Sequence, residues 1–553
     1  MHALPLILLA AYFFSLTYRY YSAFVRTKVL LLSSKNITPA VSLRDNQDYI
    51  PTNKWIVLGH HFSAIAGAGP LIGPVLAAQY GWGPGFIWIL LGAVFAGCIH
   101  DTIVLFGSVR HQGKPLTAIA RDSVGSLTTK SLSVFLLFFI IVLLGGFGLV
   151  LLNSLYQNAW GLFTVVMTIP NIIHTKAGTW FSLDKSTLAL IIPLYSFVVA
   201  VVPMWLLVLP RSYLSTYMKV GVLALIVIAV CLINPELRMP ITTVFVAGNG
   251  PIIPGPAWPY VFVTIACGAI SGFHALIGSG TTPKLIQDET DIPMVSMGAM
   301  LIEAMVAIVA LITTATMFPE DYFAINASSA AFQELNMTVI DLPTINHLLG
   351  LDITHRPGGA ISLAAGIAIL FKSFGYIVKY LFQFMLLFEA IFILTAIDAG
   401  ARAGRHILHD ILGSIYKPLG QTNWPSVLII SAFISVCWGF FIYTGSISSI
   451  WPLFGVTNQA LAVSALAIGT TLILRANPNK WYALCTLIPL LFIATTTFTA
   501  GIMNISLYFR SLQNVNGCVT IITLTLVSII IGDNAKVWIG IIRKQKNSSI
   551  IPS

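Results

Sequence analysis

His61-Phe-Ser-Ala-Ile-Ala-Gly-Ala-Gly69 recurs 211 positions later as Gly272-Phe-His-Ala-Leu-Ile-Gly-Ser-Gly280, with Phe, Ala and both glycines in register and Ile65 matched by Leu276. Each copy lies in an apolar stretch of roughly the 20 residues that cross a bilayer. Counting from the first copy, five such stretches precede the second, so the two copies cross in opposite senses. This is the pattern of an inverted five-helix repeat. Glycine in mid-membrane lowers the cost of unwinding a helix, and Pro70 and Pro74 remove further backbone donors. Unwound backbone is tolerated at that depth only where it lines a cavity or is buried in protein. Half-helix N-termini then attract a carboxylate, and freed carbonyls hold a cation. Small residues at this spacing also permit close helix packing. Two copies in opposed orientation favour a central binding site over packing alone.

The rest of the chain fits a membrane protein. Of its 553 residues, 57% are apolar and 9% charged, against roughly 25% charged in a soluble domain. A transmembrane β-barrel is excluded because its alternating segments of about 10 residues are absent. The expected fold is an all-α polytopic protein of about thirteen crossings. They are read at 3–25, 55–80, 83–107, 131–154, 187–209, 217–234, 259–281, 291–317, 374–398, 427–443, 450–473, 481–508 and 517–535. Residues 156–170 and 360–371 are apolar but short, and read as re-entrant or surface helices or extensions of their neighbours. The organisation expected is a flanking helix and connector (1–54), a first repeat (55–235), a Pro/Gly-rich linker (236–258), a second repeat (259–473) and C-terminal flanking helices with a basic tail (474–553).

Lys and Arg exceed Asp and Glu by 10. In a soluble protein that would raise nucleic acid as a partner; here the basic residues belong to cytoplasmic loops. With the N-terminus outside and the C-terminus cytoplasmic, most Lys and Arg fall on one side, Arg211 and Lys219 among them. Six single cysteines without a Cys-x-x-Cys pair indicate neither a disulfide framework nor a zinc ribbon. The first sixteen residues lack a basic start and a small-residue cleavage site, and read as an uncleaved helix.

Ionisable residues within expected spans are His60, His61, His100, Asp101, His274, Glu303, Lys372, Lys379, Glu389 and Asp398. A charge at the bilayer centre costs at least ~2.5 kcal/mol, so each is paired, neutral or lining a polar cavity. His61 and His274 lie in the two glycine motifs and have the side chain suited to carrying a proton near neutral pH. Glu389 is the most central carboxylate of a helix that also holds Thr395 and Asp398; its plainer role is as a partner for Lys379. Glu303 is read similarly, and Asp101 as a structural tie to loop arginines. His60-His61 with His100-Asp101 could ligate a metal, but adjacent histidines diverge by about 100° on a helix and no His-Glu-x-x-His is present. No nucleophile elbow or phosphate-cradling loop occurs, so neither an enzyme nor an ATP-driven pump is expected.

The stretch Asn53-Lys-Trp-Ile-Val-Leu-Gly-His-His-Phe-Ser-Ala-Ile-Ala-Gly-Ala-Gly-Pro70 with Ile72-Gly-Pro-Val-Leu-Ala77 resembles the hallmark of the carbon starvation protein A family. So do the His100-Asp101 helix, Thr395-Ala-Ile-Asp-Ala-Gly-Ala-Arg402 and Trp451-Pro-Leu-Phe-Gly-Val-Thr-Asn-Gln459. Ala401 departs from the Thr expected there. The resemblance implies an inner-membrane secondary transporter of the amino acid–polyamine–organocation superfamily, with a LeuT-like five-plus-five inverted repeat. It also implies peptide uptake or proton-coupled pyruvate uptake during carbon starvation.

The expectation is therefore an importer working by alternating access, with pyruvate and small peptides both open as substrates and no cofactor beyond the coupling ion. Protons are the expected coupling ion, with sodium left open. The substrate carboxylate is expected against the backbone of Ala66, Gly67, Ala68 and Gly69 and of Ile277, Gly278, Ser279 and Gly280. His61, His274 and Glu389 are the candidates for proton coupling, with Glu303 and Asp398 as further carboxylates. Ser63, Thr395, Asn458 and Gln459 are expected polar contacts. The alternative is a channel or membrane sensor without uphill transport. A channel calls for repeated polar rings along a pore, whereas the sequence has isolated ionisable groups.

Overall fold

The computed structural model describes residues 1–45, 49–156, 183–202, 204–375, 377–420 and 423–548. Among these residues the fold is all-helical, with three isolated bridges and no strand. The helices that matter below are α1 (Ala3–Val29), α2 (Lys54–Ile65), α3 (Gly69–Ala77), α4 (Trp82–Arg110), α5 (Ser126–Leu155), α6 (Lys185–Val201) and α7 (Met204–Ile233). After the linker come α8 (Ala257–Thr264), α9 (Ala266–Ala269), α10 (Phe273–Gly278), α11 (Ile292–Ala315), α12 (Ala360–Leu370) and α13 (Ile377–Ile415). The series closes with α14 (Trp424–Thr444), α15 (Ile447–Ala476), α16 (Leu484–Arg510) and α17 (Asn514–Ser548).

Starts are set by local chemistry. The Asn53 side chain accepts from the Trp55 N–H to cap α2, and Asp184 does the same for α6 through Ser186 and Thr187. Ser446 and Ser449 form a reciprocal capping box at α15.

Among the described residues nine helices are long and apolar enough to cross a membrane, and the bent pair α2–α3, angled at 49°, makes up to ten. This is fewer than the thirteen crossings expected. The other three expected crossings fall on α6, a helix of 17 residues, on α7, whose shorter apolar part is Met218–Ile233, and on the stretch broken into α8, α9 and α10. The expected short helix at 156–170 lies almost wholly outside the described residues, and that at 360–371 is α12.

Burial sorts the helices into layers. The α15 span is 89% buried and α11 is close behind, whereas α1 is 33% buried. The outer helices instead turn Leu190, Leu194, Leu225, Phe433, Val436, Ile488 and Leu491 outward. Apolar surface of this extent would be a liability in water and is what lipid tails require.

Segments read on the same side of the membrane meet. Asn477 donates to the carbonyls of Lys28 and Val29, and Ile37 bridges Asp288. At the other end Ala3 N–H donates to Pro235 and Tyr322 Oη to the carbonyls of Val75 and Leu76.

Candidate functional site

The two broken helices cross with their backbones in contact. A Cβ at Gly69 would overlap the Cys267 side chain, and one at Gly73 would stand 2.5 Å from the Thr264 carbonyl. Glycine is therefore needed here for the close approach of α3 to α8 and α9. The crossing brings the two interruptions together at the buried centre.

The first interruption follows Ile65. Ala66 leaves the helix at ψ 83°, and the Gly67 N–H turns back to the Ile65 carbonyl. The carbonyls of Ser63 and Ala66 both accept from the Lys219 ammonium of α7, each at 2.9 Å. Lys219 is only 2% exposed, and its Nζ stands 4.1 Å from the centre of the Phe392 ring of α13. Terminal helix carbonyls carry partial negative charge, so the ammonium is matched to them.

The second interruption lies at Ile270-Ser271-Gly272, where Ile270 is extended. Asn458 of α15 holds it: Oδ1 accepts from Phe273 N–H at 3.0 Å, and Nδ2 donates to Cys267 Sγ at 3.2 Å. The neighbouring Gln459 donates to the Phe262 carbonyl at 2.7 Å and accepts from Thr497. Asn458 and Gln459, two of the four residues expected as polar contacts, thus brace the second broken helix. The expected stretch Ile277–Gly280 lies past this interruption, at the C-terminal end of α10, where Ser279 accepts from Leu116 N–H and donates to the Ala275 carbonyl.

Around α10 sits a buried cluster of charge. His274 Nδ1 is 2.9 Å from Asp101 Oδ2, and its Nε2 is 3.0 Å from Glu303 Oε2. Asp101 also accepts from His100 Nδ1 at 2.8 Å. The His274 ring thus stands between two carboxylates, hydrogen-bonded to Asp101 and at ion-pair distance from Glu303. Isolated, any one of these groups would be costly to charge at this depth; set side by side, the imidazole and the carboxylates offset part of that cost. Asp101 therefore ties α4 to α10 rather than to loop arginines. His61 is also buried, with Nδ1 2.9 Å from Thr282 Oγ1, and His60 reaches Thr281 at 3.2 Å.

The remaining candidates stand apart. Thr395 donates to the Ile391 carbonyl of its own helix, and Asp398 is buried on α13. Glu389 is buried with neither oxygen hydrogen-bonded among the described residues, and Lys379, offered as its partner, is exposed at the start of α13. Lys219 was not among the sequence candidates. A crossing expected at 217–234 begins two residues before it and leaves it at a cytoplasmic helix end; α7 instead starts at Met204 and carries it inside. A surface groove of about 570 Å³ between α4, α8 and α16 is lined by Trp88, Phe262, Phe492 and other apolar side chains. It lacks the polar groups a carboxylate would need.

The chain resembles known proteins in both fold and sequence. Its fold matches a crystal structure of the Eremococcus coleocola manganese transporter with a TM-score of 0.54 at 13% identity, over 91% of this chain and 99% of that one. Among the described residues here, no three His, Cys, Asp or Glu side chains are grouped to hold a metal ion. The peptide transporter CstA of Bacillus subtilis is 41% identical over 97% of both chains. The pyruvate/proton symporter BtsT of Escherichia coli is 35% identical over 88% of this chain and 80% of its own. The family model for carbon starvation protein CstA matches residues 2–180 and 172–500. On a match of this extent, with relatives named as transporters, the chain belongs to the carbon starvation protein CstA family.

Proposed function

We propose that this protein is a secondary importer of small carboxylate nutrients, pyruvate or small peptides, driven by protons and working by alternating access. The observation that carries the reading is the meeting of two interrupted helices beside a buried Asp101–His274–Glu303 cluster. Interrupted helices provide backbone groups for a substrate and ion at the membrane midplane. A histidine between two carboxylates provides a group that can take up or release a proton.

In this reading the chain holds a LeuT-like five-plus-five inverted repeat within about thirteen crossings, α6, α7 and the broken α8–α10 included. It lies in the bacterial inner membrane with the N-terminus outside and the C-terminal tail cytoplasmic. The substrate carboxylate meets backbone N–H groups around Ala66–Gly69, next to Ile270–Gly272. His274, with Asp101 and Glu303, carries the proton; His61 lies one layer towards Thr282. Glu389 is the carboxylate left over for a peptide ammonium, and its use there would mark a peptide carrier.

Alternating access needs a closure at each end. At the cytoplasmic end Glu289 pairs with Arg110 and accepts from Asn36 Nδ2 at 2.6 Å and Ser33 N–H at 3.1 Å. At the other end Tyr322 hangs on the Val75 and Leu76 carbonyls, and the Arg356 guanidinium, buried and pushed down to about 10, donates to Tyr156. Residues 66–69 and 269–272 are all buried between these closures.

The test is uptake of labelled pyruvate into proteoliposomes, with and without an inward proton gradient and with excess unlabelled dipeptides. Gradient-driven uptake that dipeptides leave unchanged supports a monocarboxylate symporter. Accumulation of labelled dipeptide without pyruvate uptake supports a peptide carrier. Movement of neither contradicts the proposal.

A further inference from the structure

Lys219 has surroundings that a structural lysine does not require. Two of its three donors reach the carbonyls of Ser63 and Ala66, and an aromatic face lies against the ammonium. Carbonyl oxygens at an interrupted helix together with a π-face form a seat for a monovalent cation. Among the described residues no carboxylate lies within ion-pair distance of Nζ. The charged group that acts on it electrostatically is Glu303 of α11, itself 3.0 Å from His274. On the other packed helices, His60 and His61 precede Ser63 on α2, Glu389 precedes Phe392 on α13, Tyr12 lies in the first part of α1, and Lys185 and Tyr195 lie on α6; α12 carries no titratable side chain.

Two simpler accounts fit less well. A side chain that only braced the interruption could be a neutral amide, as Asn458 is at the second one. A basic residue reaching for water would extend along its stem to the surface, yet this one is turned into the protein against α2 and α13.

We propose that the Lys219 ammonium is a tethered cation seated at the first helix interruption, where a soluble cation would otherwise bind, and that it is a coupling residue. It exchanges a proton with water as the transporter changes state, so that the seat is charged in one state and neutral in the other. Only H+ is gained or lost in this step. The inference rests on the transport reading above and deepens it, because it makes transport indifferent to sodium.

The experiment uses the purified full chain in proteoliposomes, with labelled pyruvate, or labelled dipeptide if that is the one moved. Accumulation under an inward proton gradient is compared with exchange of labelled for unlabelled substrate at equal pH. The wild type should accumulate equally in sodium and in choline buffers. Lys219→Met and Lys219→Arg should lose accumulation at least tenfold while keeping exchange within about threefold; arginine keeps the charge but does not release its proton. Accumulation by Lys219→Arg would overturn the coupling role, as would loss of exchange in both variants at unchanged thermal stability. Independently of transport, the wild-type melting temperature in detergent should not change when choline replaces sodium at constant ionic strength. Specific stabilisation by sodium would overturn the tethered cation. A wild type that moves neither substrate defeats the transport reading and the coupling role with it, while the melting comparison still judges the seat.

Discussion

His274 on the second broken helix is joined to Asp101 on α4 by a 2.9 Å contact across 173 residues of sequence. With Glu303 beside the opposite ring nitrogen, the histidine stands between α4 and α11. Protonation of one ring is thereby linked to the packing of α4, α10 and α11.

Asp101→Asn preserves the side-chain shape and removes one of the two carboxylates. Breaking one partner of a buried pair costs about 3 kcal/mol or more. The expected outcome is a lower melting temperature and at least a tenfold loss of gradient-driven uptake. Uptake at the wild-type rate would remove the cluster from the coupling scheme.

The crossing of α3 and α9 leaves no room at Gly69. Gly69→Ala drives a methyl into Cys267, an overpacking worth about 1–3 kcal/mol. Gly67→Ala meets Phe147 at 3.6 Å, an ordinary contact, and is tolerated. Cys267→Gly in the Gly69→Ala background should restore much of the lost stability, measured by thermal unfolding. Equal effects of the two alanine variants would contradict the crossing described.

Asn458→Ala leaves the Phe273 N–H and the Ser271 hydroxyl without their amide partner. A buried group left unsatisfied costs about 1–3 kcal/mol. Uptake should fall with stability. Asn458→Asp keeps the acceptor for Phe273 but loses the donor to Cys267 and buries a charge, and should not restore transport. Wild-type uptake by Asn458→Ala would show that the interruption holds without this brace.

Glu289 gathers Arg110, Asn36 and the Ser33 backbone at one end of the molecule. Glu289→Gln weakens charge-assisted bonds worth about 2 kcal/mol. The closure should open more often, seen as faster maleimide labelling of a Thr282→Cys reporter at a buried position in the same background. An unchanged labelling rate would show that the pair does not close this end.

Much of the fold is legible in the residues because lipid imposes length and apolarity on each span, and α4, α5, α11 and α15 lie close to where the apolar stretches predict them. The first interruption is also legible, since Ala66-Gly67-Ala68-Gly69-Pro70 combines flexible residues with a missing donor. The second is displaced from the Ile277–Gly280 glycines to Ile270–Gly272. What settles it there is tertiary: a Cβ at Gly272 would overlap the Asn458 carbonyl, and the Asn458 side chain supplies the bonds that the helix gives up. Periodicity and repeats carry no trace of such a contact across 187 residues. Lys219 and Asp101 escape the sequence for the same reason, as each has the look of a residue near a helix end. Their partners, Ser63, Ala66 and His274, come from other helices.

Coupling of protons to substrate is the central claim, and the internal pH reports it most directly. Proteoliposomes holding the purified protein and a trapped pH-sensitive dye would be given pyruvate, or a dipeptide, at equal pH inside and out. The account predicts lumenal acidification that follows substrate addition, scales with protein content and is unchanged when choline replaces sodium. Labelled substrate entering with no change in lumenal pH would contradict it.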